Sequence, residues 1–219
     1  MRLSSVTSII AATLLAISCT WDDPVIYRDV TMAEPTADGR LKTDSGVIYN
    51  IVKKSCEASL EGKTRVLILC DVLKKTADKQ YDIELLQLIE PLKKDPVPSS
   101  TLTKPDDGLG NDPVAITQAW ISGGYMNLCV AVKILSKEQD HVINLEFDDT
   151  APSDTLRFTL RHDDGVDDST DAISSDTEIG TAYATFPIRQ LLPEGKETIP
   201  VKLSWTWDND YTLKDGFSL

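Results

Sequence analysis

Two histidines, a run of aspartates and four cysteines are the residues of this 219-residue chain whose types could do chemistry. His141 shares parity with Ile143, Leu145 and Phe147, and His162 shares it with Leu156, Phe158 and Leu160. Successive side chains on a strand point to opposite faces, so each histidine stands at one end of an apolar face. A hairpin that sets Phe147 opposite Leu156 also sets His141 opposite His162, on the inward face at one end of a sheet. A histidine pair beside a carboxylate can hold a metal, but a tetrahedral site wants more ligands, and none stands at an obvious spacing. The favoured reading is a hydrogen-bonded pair packed at the edge of a core.

The aspartates Asp163, Asp164, Asp167 and Asp168 surround Gly165. Clustered carboxylates around a glycine suit calcium, which takes oxygen ligands. The run lacks the alternating ligands and distant glutamate of an EF-hand loop, so a solvated turn between strands is favoured. His141, His162, Asp163, Asp164, Asp167 and Asp168 thus stand as weak candidate ligands, and no cofactor is assigned. Catalytic signatures are absent: there is no Gly-x-Ser-x-Gly elbow, no His-Glu-x-x-His and no Walker loop. The chain reads as a non-enzyme.

Of the cysteines, Cys19 closes the segment Leu15-Ala16-Ile17-Ser18-Cys19, which follows Arg2 and the apolar stretch from Ile9 to Ile17. That stretch fits a signal peptide and is too short for a membrane-spanning helix. The segment resembles the bacterial lipobox, although the usual leucine position holds Ala16. The resemblance implies lipidation of Cys19 and anchoring to a bilayer, since each buried methylene contributes about 0.8 kcal/mol. Trp21, Asp22 and Asp23 follow, and acidic residues there resemble the surface-export signal of Bacteroides-group lipoproteins, implying an outer-membrane lipoprotein displayed on the cell surface; the alternative is a solvated linker start on a periplasm-facing lipoprotein. Cys70 and Cys129 lie in apolar runs and read as small buried hydrophobes. Cys56 and Cys70 could form a disulfide in an oxidising envelope.

The elements that must position these groups read as strands. Leu41 to Thr43 and Val47 to Ile51 flank the turn Asp44-Ser45-Gly46. Arg65 to Leu73 is nearly all apolar, as expected for a strand buried on both faces. Tyr81 to Leu92 alternates partly, with a helix from Ile83 to Ile89 as the competing expectation. These suit a small barrel. Beyond it, the segment from Lys93 to Pro113 contains Pro96, Pro98, Pro105 and Pro113 and reads as a linker, since proline removes ladder donors. The C-terminal half then alternates cleanly at 143–147, 156–160 and 201–207, with further strands near 114–120, 125–135 and 179–186 and a helical turn at 188–192. Six half-buried antiparallel strands suit a β-sandwich, with Trp120, Trp205 and Trp207 in its core by parity.

Charge divides the chain at the same place. Residues 24–104 hold 13 Lys+Arg against 12 Asp+Glu, whereas residues 105–219 hold 8 against 21. The whole chain carries a net charge of -13. Phosphate-rich partners are repelled by that charge, and Tyr27, Tyr49 and Tyr81 are too few for base stacking, so nucleic acid is not expected.

The lipobox, the small barrel, Asn111-Asp112-Pro113-Val114, Trp120 through Leu128 with its Gly123-Gly124 pair, His141, and Leu160-Arg161-His162-Asp163 together resemble the NigD-like lipoproteins of the Bacteroides group. The resemblance implies an all-β chain, a small N-terminal OB-like barrel followed by a C-terminal antiparallel β-sandwich. The division is then residues 1–18 signal peptide, 19–35 lipid-anchored linker, 36–95 barrel, 96–112 linker and 113–219 sandwich. It also hints at bacteriocin immunity or envelope defence. The expected role is a non-catalytic binding module whose acidic sandwich meets a basic protein partner. The alternative is a glycan- or ligand-binding lipoprotein serving an outer-membrane uptake system, and a structural envelope protein comes third. The oligomeric state is open at this level.

Overall fold

The computed structural model describes residues 25–104, 108–134, 140–150, 154–165, 178–194 and 198–207. Cys19, Asp167 and Asp168 lie outside them. The first unit is a closed barrel of β1 (Tyr27–Pro35), β2 (Leu41–Thr43), β3 (Ile48–Lys54), β4 (Val66–Ala77) and β5 (Gln80–Ile89), joined in the order β1-β2-β3-β5-β4. All its pairings are antiparallel except β3 with β5. The turn between β2 and β3 falls at Asp44-Ser45-Gly46, where Gly46 takes φ +80° and donates to the Thr43 carbonyl at 2.9 Å. On β4, alternate residues Val66, Ile68, Cys70 and Val72 enter the core and meet Ile83 and Leu85 of β5. That ladder on both sides of β5 overrides the helix propensity of its Glu, Leu and Gln residues.

The barrel starts earlier than expected. Tyr27 to Ala33 pair with Val72 to Val66, so half of the segment assigned to a linker is a barrel strand. Its polar residues concealed it. Arg28 faces outward, where its guanidinium grips Asp71 of β4 at 2.7 and 2.9 Å, while Met32 and Ala33 are buried.

The second unit is a sandwich of two four-stranded sheets. One holds β7 (Val97–Pro98), β10 (Val142–Phe147), β11 (Leu156–Asp163) and β13 (Val201–Ser204) in the order β13-β11-β10-β7. The other holds β6 (Leu92–Lys93), β8 (Ala115–Ser122), β9 (Tyr125–Ile134) and β12 (Glu178–Pro187) in the order β6-β12-β9-β8. Ile143, Leu145, Phe158 and Leu160 from the first sheet meet Met126, Leu128, Val130 and Phe186 from the second. Burying each such side chain contributes about 1.5–3 kcal/mol. The expected helical turn is a 3-10 turn at Arg189–Leu191.

The expected linker at 96–112 is therefore partly structural. Its start, with the end of the barrel segment, sends β6 to one sheet and β7 to the other, each in parallel pairing. Pro98 is tolerated because β7 is an edge strand, where a missing N–H costs no ladder bond.

Candidate functional site

The face where barrel and sandwich meet is built on one buried cation. Arg65, which opens the apolar run of β4, is 1% exposed. Its Nη1 and Nη2 donate to Asp44 Oδ1 and Oδ2 at 2.9 and 2.7 Å, a two-pronged grip on the hairpin turn of the barrel. Nε donates to Thr185 Oγ1 at 3.0 Å and Nη2 also to Asn127 Oδ1 at 3.1 Å, both on the sandwich. The guanidinium lies 3.8 Å from the centre of the Tyr125 ring, a cation–π contact. Tyr125 Oη in turn donates to Glu34 of β1 at 2.9 Å, and burial followed by that carboxylate raises the phenol's pKa. Ser122 Oγ closes the network on Asp44 Oδ2 at 2.5 Å and accepts from Asn127 Nδ2 at 3.1 Å. Gly123 makes this approach possible: at φ +60° a side chain there would overlap the Asp44 carboxylate.

Beside this clamp lies a cleft of about 600 Å³. Val30, Met32 and Leu67 of the barrel form one wall, and Gln118, Trp120 and Tyr183 of the sandwich form the other. Trp120 is here because of a bulge. Ile116 pairs with Val130 but Gln118 pairs with Cys129, so one extra residue reverses the facing of everything after it. The expectation that Trp120 is a core residue is therefore corrected: Ala119 packs on the sandwich core, and Trp120 faces the barrel. Trp205 does pack on the core, with Trp207 at 4.6 Å between ring centres.

The two histidines also meet, in a register other than the expected one. Phe147 pairs with Phe158 and Ile143 with His162, a slide of two residues that leaves His141 beyond the end of β10. His141 reaches diagonally, with Nδ1 3.0 Å from His162 Nε2 and the rings stacked at 5.2 Å and 11°. His162 Nδ1 donates to the Pro113 carbonyl at 3.2 Å, which fixes its proton there and leaves Nε2 to accept from His141 Nδ1. The remaining lone pair, on His141 Nε2, is buried without a hydrogen-bond partner among the described residues. Burial, then the neighbouring imidazole, lowers the pKa of His141, and Asp164 opposes them.

Asp112, Asp163 and Asp164 bring carboxylate oxygens within 4.8 Å of one another. Asp163 and Asp164 were among the candidate ligands, whereas Asp112 was not. These groups already serve the backbone: Asp112 Oδ2 accepts from Asp164 N at 2.8 Å and Asp163 Oδ1 from Gly165 N at 2.9 Å. Asp112 N donates to the His162 carbonyl at 2.8 Å. The corner thus pins the chain entering the sandwich onto the end of β11.

Cys56 and Cys70 are both free, so the disulfide that the sequence left open is not formed. Cys70 points into the barrel core, where burial, then Asp29 and Asp71, push its thiol up to about 12. Cys129 is also free and buried, as its apolar run implied.

The family model of the NigD-like C-terminal beta sandwich domain matches residues 97–214. Among solved structures, a protein of unknown function from Bacteroides vulgatus superposes with a TM-score of 0.62 at 18% identity, over 81% of this chain and 83% of that one. A putative toxin-related protein from Parabacteroides distasonis gives 0.59 at 22%, over 82% and 88%. A NigD-like immunity protein from Bacteroides caccae gives 0.57 at 19%, over 85% and 89%. No curated protein matches the chain. The fold is thus shared across barrel and sandwich alike, and by its sandwich the chain belongs to the family of NigD-like proteins.

Proposed function

We propose that this protein is a non-catalytic binding protein of the bacterial envelope, held to the outer membrane by an acylated Cys19 and displayed at the cell surface. Its partner is a basic protein met by the sandwich. The carrying observation is the segregation of charge on two domains clamped together: 13 Lys+Arg against 12 Asp+Glu in residues 24–104, then 8 against 21 in residues 105–219. A strongly acidic domain steers cationic partners and repels acidic ones. The likeness to an immunity protein and to a toxin-related protein supports a role in defence against a cationic bacteriocin.

A second reading, a glycan-binding lipoprotein of an uptake system, draws on the placement of Trp120 and Tyr183 in the junction cleft. In-cell cross-linking of the tagged lipoprotein, read by mass spectrometry, tests the first reading. A dominant basic partner should be recovered, and recovery should fall with salt and with Asp154→Asn, Glu178→Gln and Glu194→Gln, all exposed on the sandwich. Equal recovery from the neutralised variant overturns it.

A further inference from the structure

We infer that the junction cleft is an anchor site for a bulky apolar side chain carried on an extended, lysine- or arginine-rich polypeptide segment. This rests on the reading of a basic protein partner and adds where that partner is gripped. The first support is shape and surface. The cleft's volume of about 600 Å³ is within the usual range of about 300–1,000 Å³ for ligand sites. Trp120 and Tyr183 face Val30, Met32 and Leu67 across it, and Val30 is 64% exposed in the isolated chain. An aromatic wall opposed by an exposed valine is a surface that desolvates apolar side chains well.

The second support is that the polar groups on the barrel side of the cleft, together with Ser122, are already engaged. Both Asp44 oxygens are taken by Arg65, and one also by Ser122. Thr31 Oγ1 donates to the Met32 carbonyl, and Ser45 Oγ shares a hydrogen bond with Thr43 Oγ1. Sugar hydroxyls packed against that side would lose water without replacing its hydrogen bonds, which costs free energy, whereas an apolar side chain there loses nothing.

The third support is charge and rigidity. One wall belongs to the domain half with 8 Lys+Arg against 21 Asp+Glu, which favours cationic residues flanking the anchor. The Arg65 network ties the two walls together across the domain boundary, so the cleft is preorganised and little ordering cost remains at binding.

Calorimetric titration of the mature chain tests the proposal with three probes: the synthetic peptide Lys-Leu-Lys-Phe-Lys-Leu-Lys, heptalysine and a maltooligosaccharide. The mixed peptide should bind at least about tenfold tighter than heptalysine, a difference of about 1.4 kcal/mol. Trp120→Ala and Val30→Asp should each weaken the mixed peptide about tenfold and leave heptalysine unchanged. Val52→Ser, at another exposed apolar residue outside the cleft, should change neither. Equal binding of both peptides, insensitive to Trp120→Ala, overturns the cleft but leaves the basic-partner reading standing. Failure of both peptides to bind overturns the two together. Oligosaccharide binding that is lost in Trp120→Ala puts a glycan in the cleft and overturns the proposal.

Discussion

The domain junction and the histidine corner solve the same problem with opposite chemistry. Each is a polar cluster that fixes one part of the chain to another. At the junction a full charge is buried, and its cost is offset because Arg65 is met by Asp44, Asn127, Thr185 and the Tyr125 ring. At the corner the link runs through two imidazoles, which pass a hydrogen bond from one to the other and on to Pro113, and one nitrogen is left over. A charged clamp holds strongly but fails badly when one partner is lost. An imidazole relay is weaker and responds to pH.

The largest effect belongs to the junction. Arg65→Met should destabilise the protein by about 3–5 kcal/mol, because Asp44 is left buried without its partner. Adding Asp44→Leu should recover much of that loss, and denaturant unfolding of both variants measures it. If Arg65→Met alone is neutral, the junction is not a charged clamp. Next, Gly110→Ala should cost about 2–3 kcal/mol, since its φ of +80° disfavours a side chain and a Cβ would overlap the His162 carbonyl. Thermal melts of that variant report on the corner alone.

The corner should also show a pH dependence, carried by His141. The folded pKa of His141 lies below its ordinary value of 6.5, so the unfolded chain binds the proton more readily. Its contribution is fully present above pH 6.5 and is lost as the pH falls from there through the depressed folded value. Melting temperature from pH 8 to 5 should therefore fall less in His141→Gln than in the unsubstituted chain, and parallel curves would remove the imidazole from the account. The smallest effect belongs to neither cluster and calibrates both. Lys79 turns the β4–β5 hairpin at φ +51°, so Lys79→Gly should raise stability by at most about 1 kcal/mol in the same unfolding assay.

What was legible in the sequence follows from how local each signal is. The alternation at 143–147 and 156–160 named the inward faces, because a half-buried strand writes its facing into every second residue. It did not fix the slide between the strands: moving by two residues keeps every face and changes only the partners, so His141 and His162 met by reach and not by pairing. Trp120 was misplaced because a bulge upstream inverted the parity on which its assignment rested. The start of the barrel was missed because Arg28 and Asp29 broke the apolar pattern of a strand whose outward partners lie on β4. Arg65 had no local signal at all. Its partners stand 21, 62 and 120 residues away, and the only hint was the Gly123-Gly124 pair where the two domains come close.

The two short strands that leave the barrel set an order of events in time. Leu92 pairs with Ala184 and Val97 with Glu146, both in parallel. The barrel needs nothing beyond Ile89 to close, so it can be complete while most of the sandwich is still emerging. The sandwich must instead hold its first two strands in waiting, and its β11 edge stays open until Val201–Ser204 arrives. Contacts so distant in sequence close slowly. The early domain can thus be finished on its own, and the late one is assembled nearly all at once, when its last strand arrives.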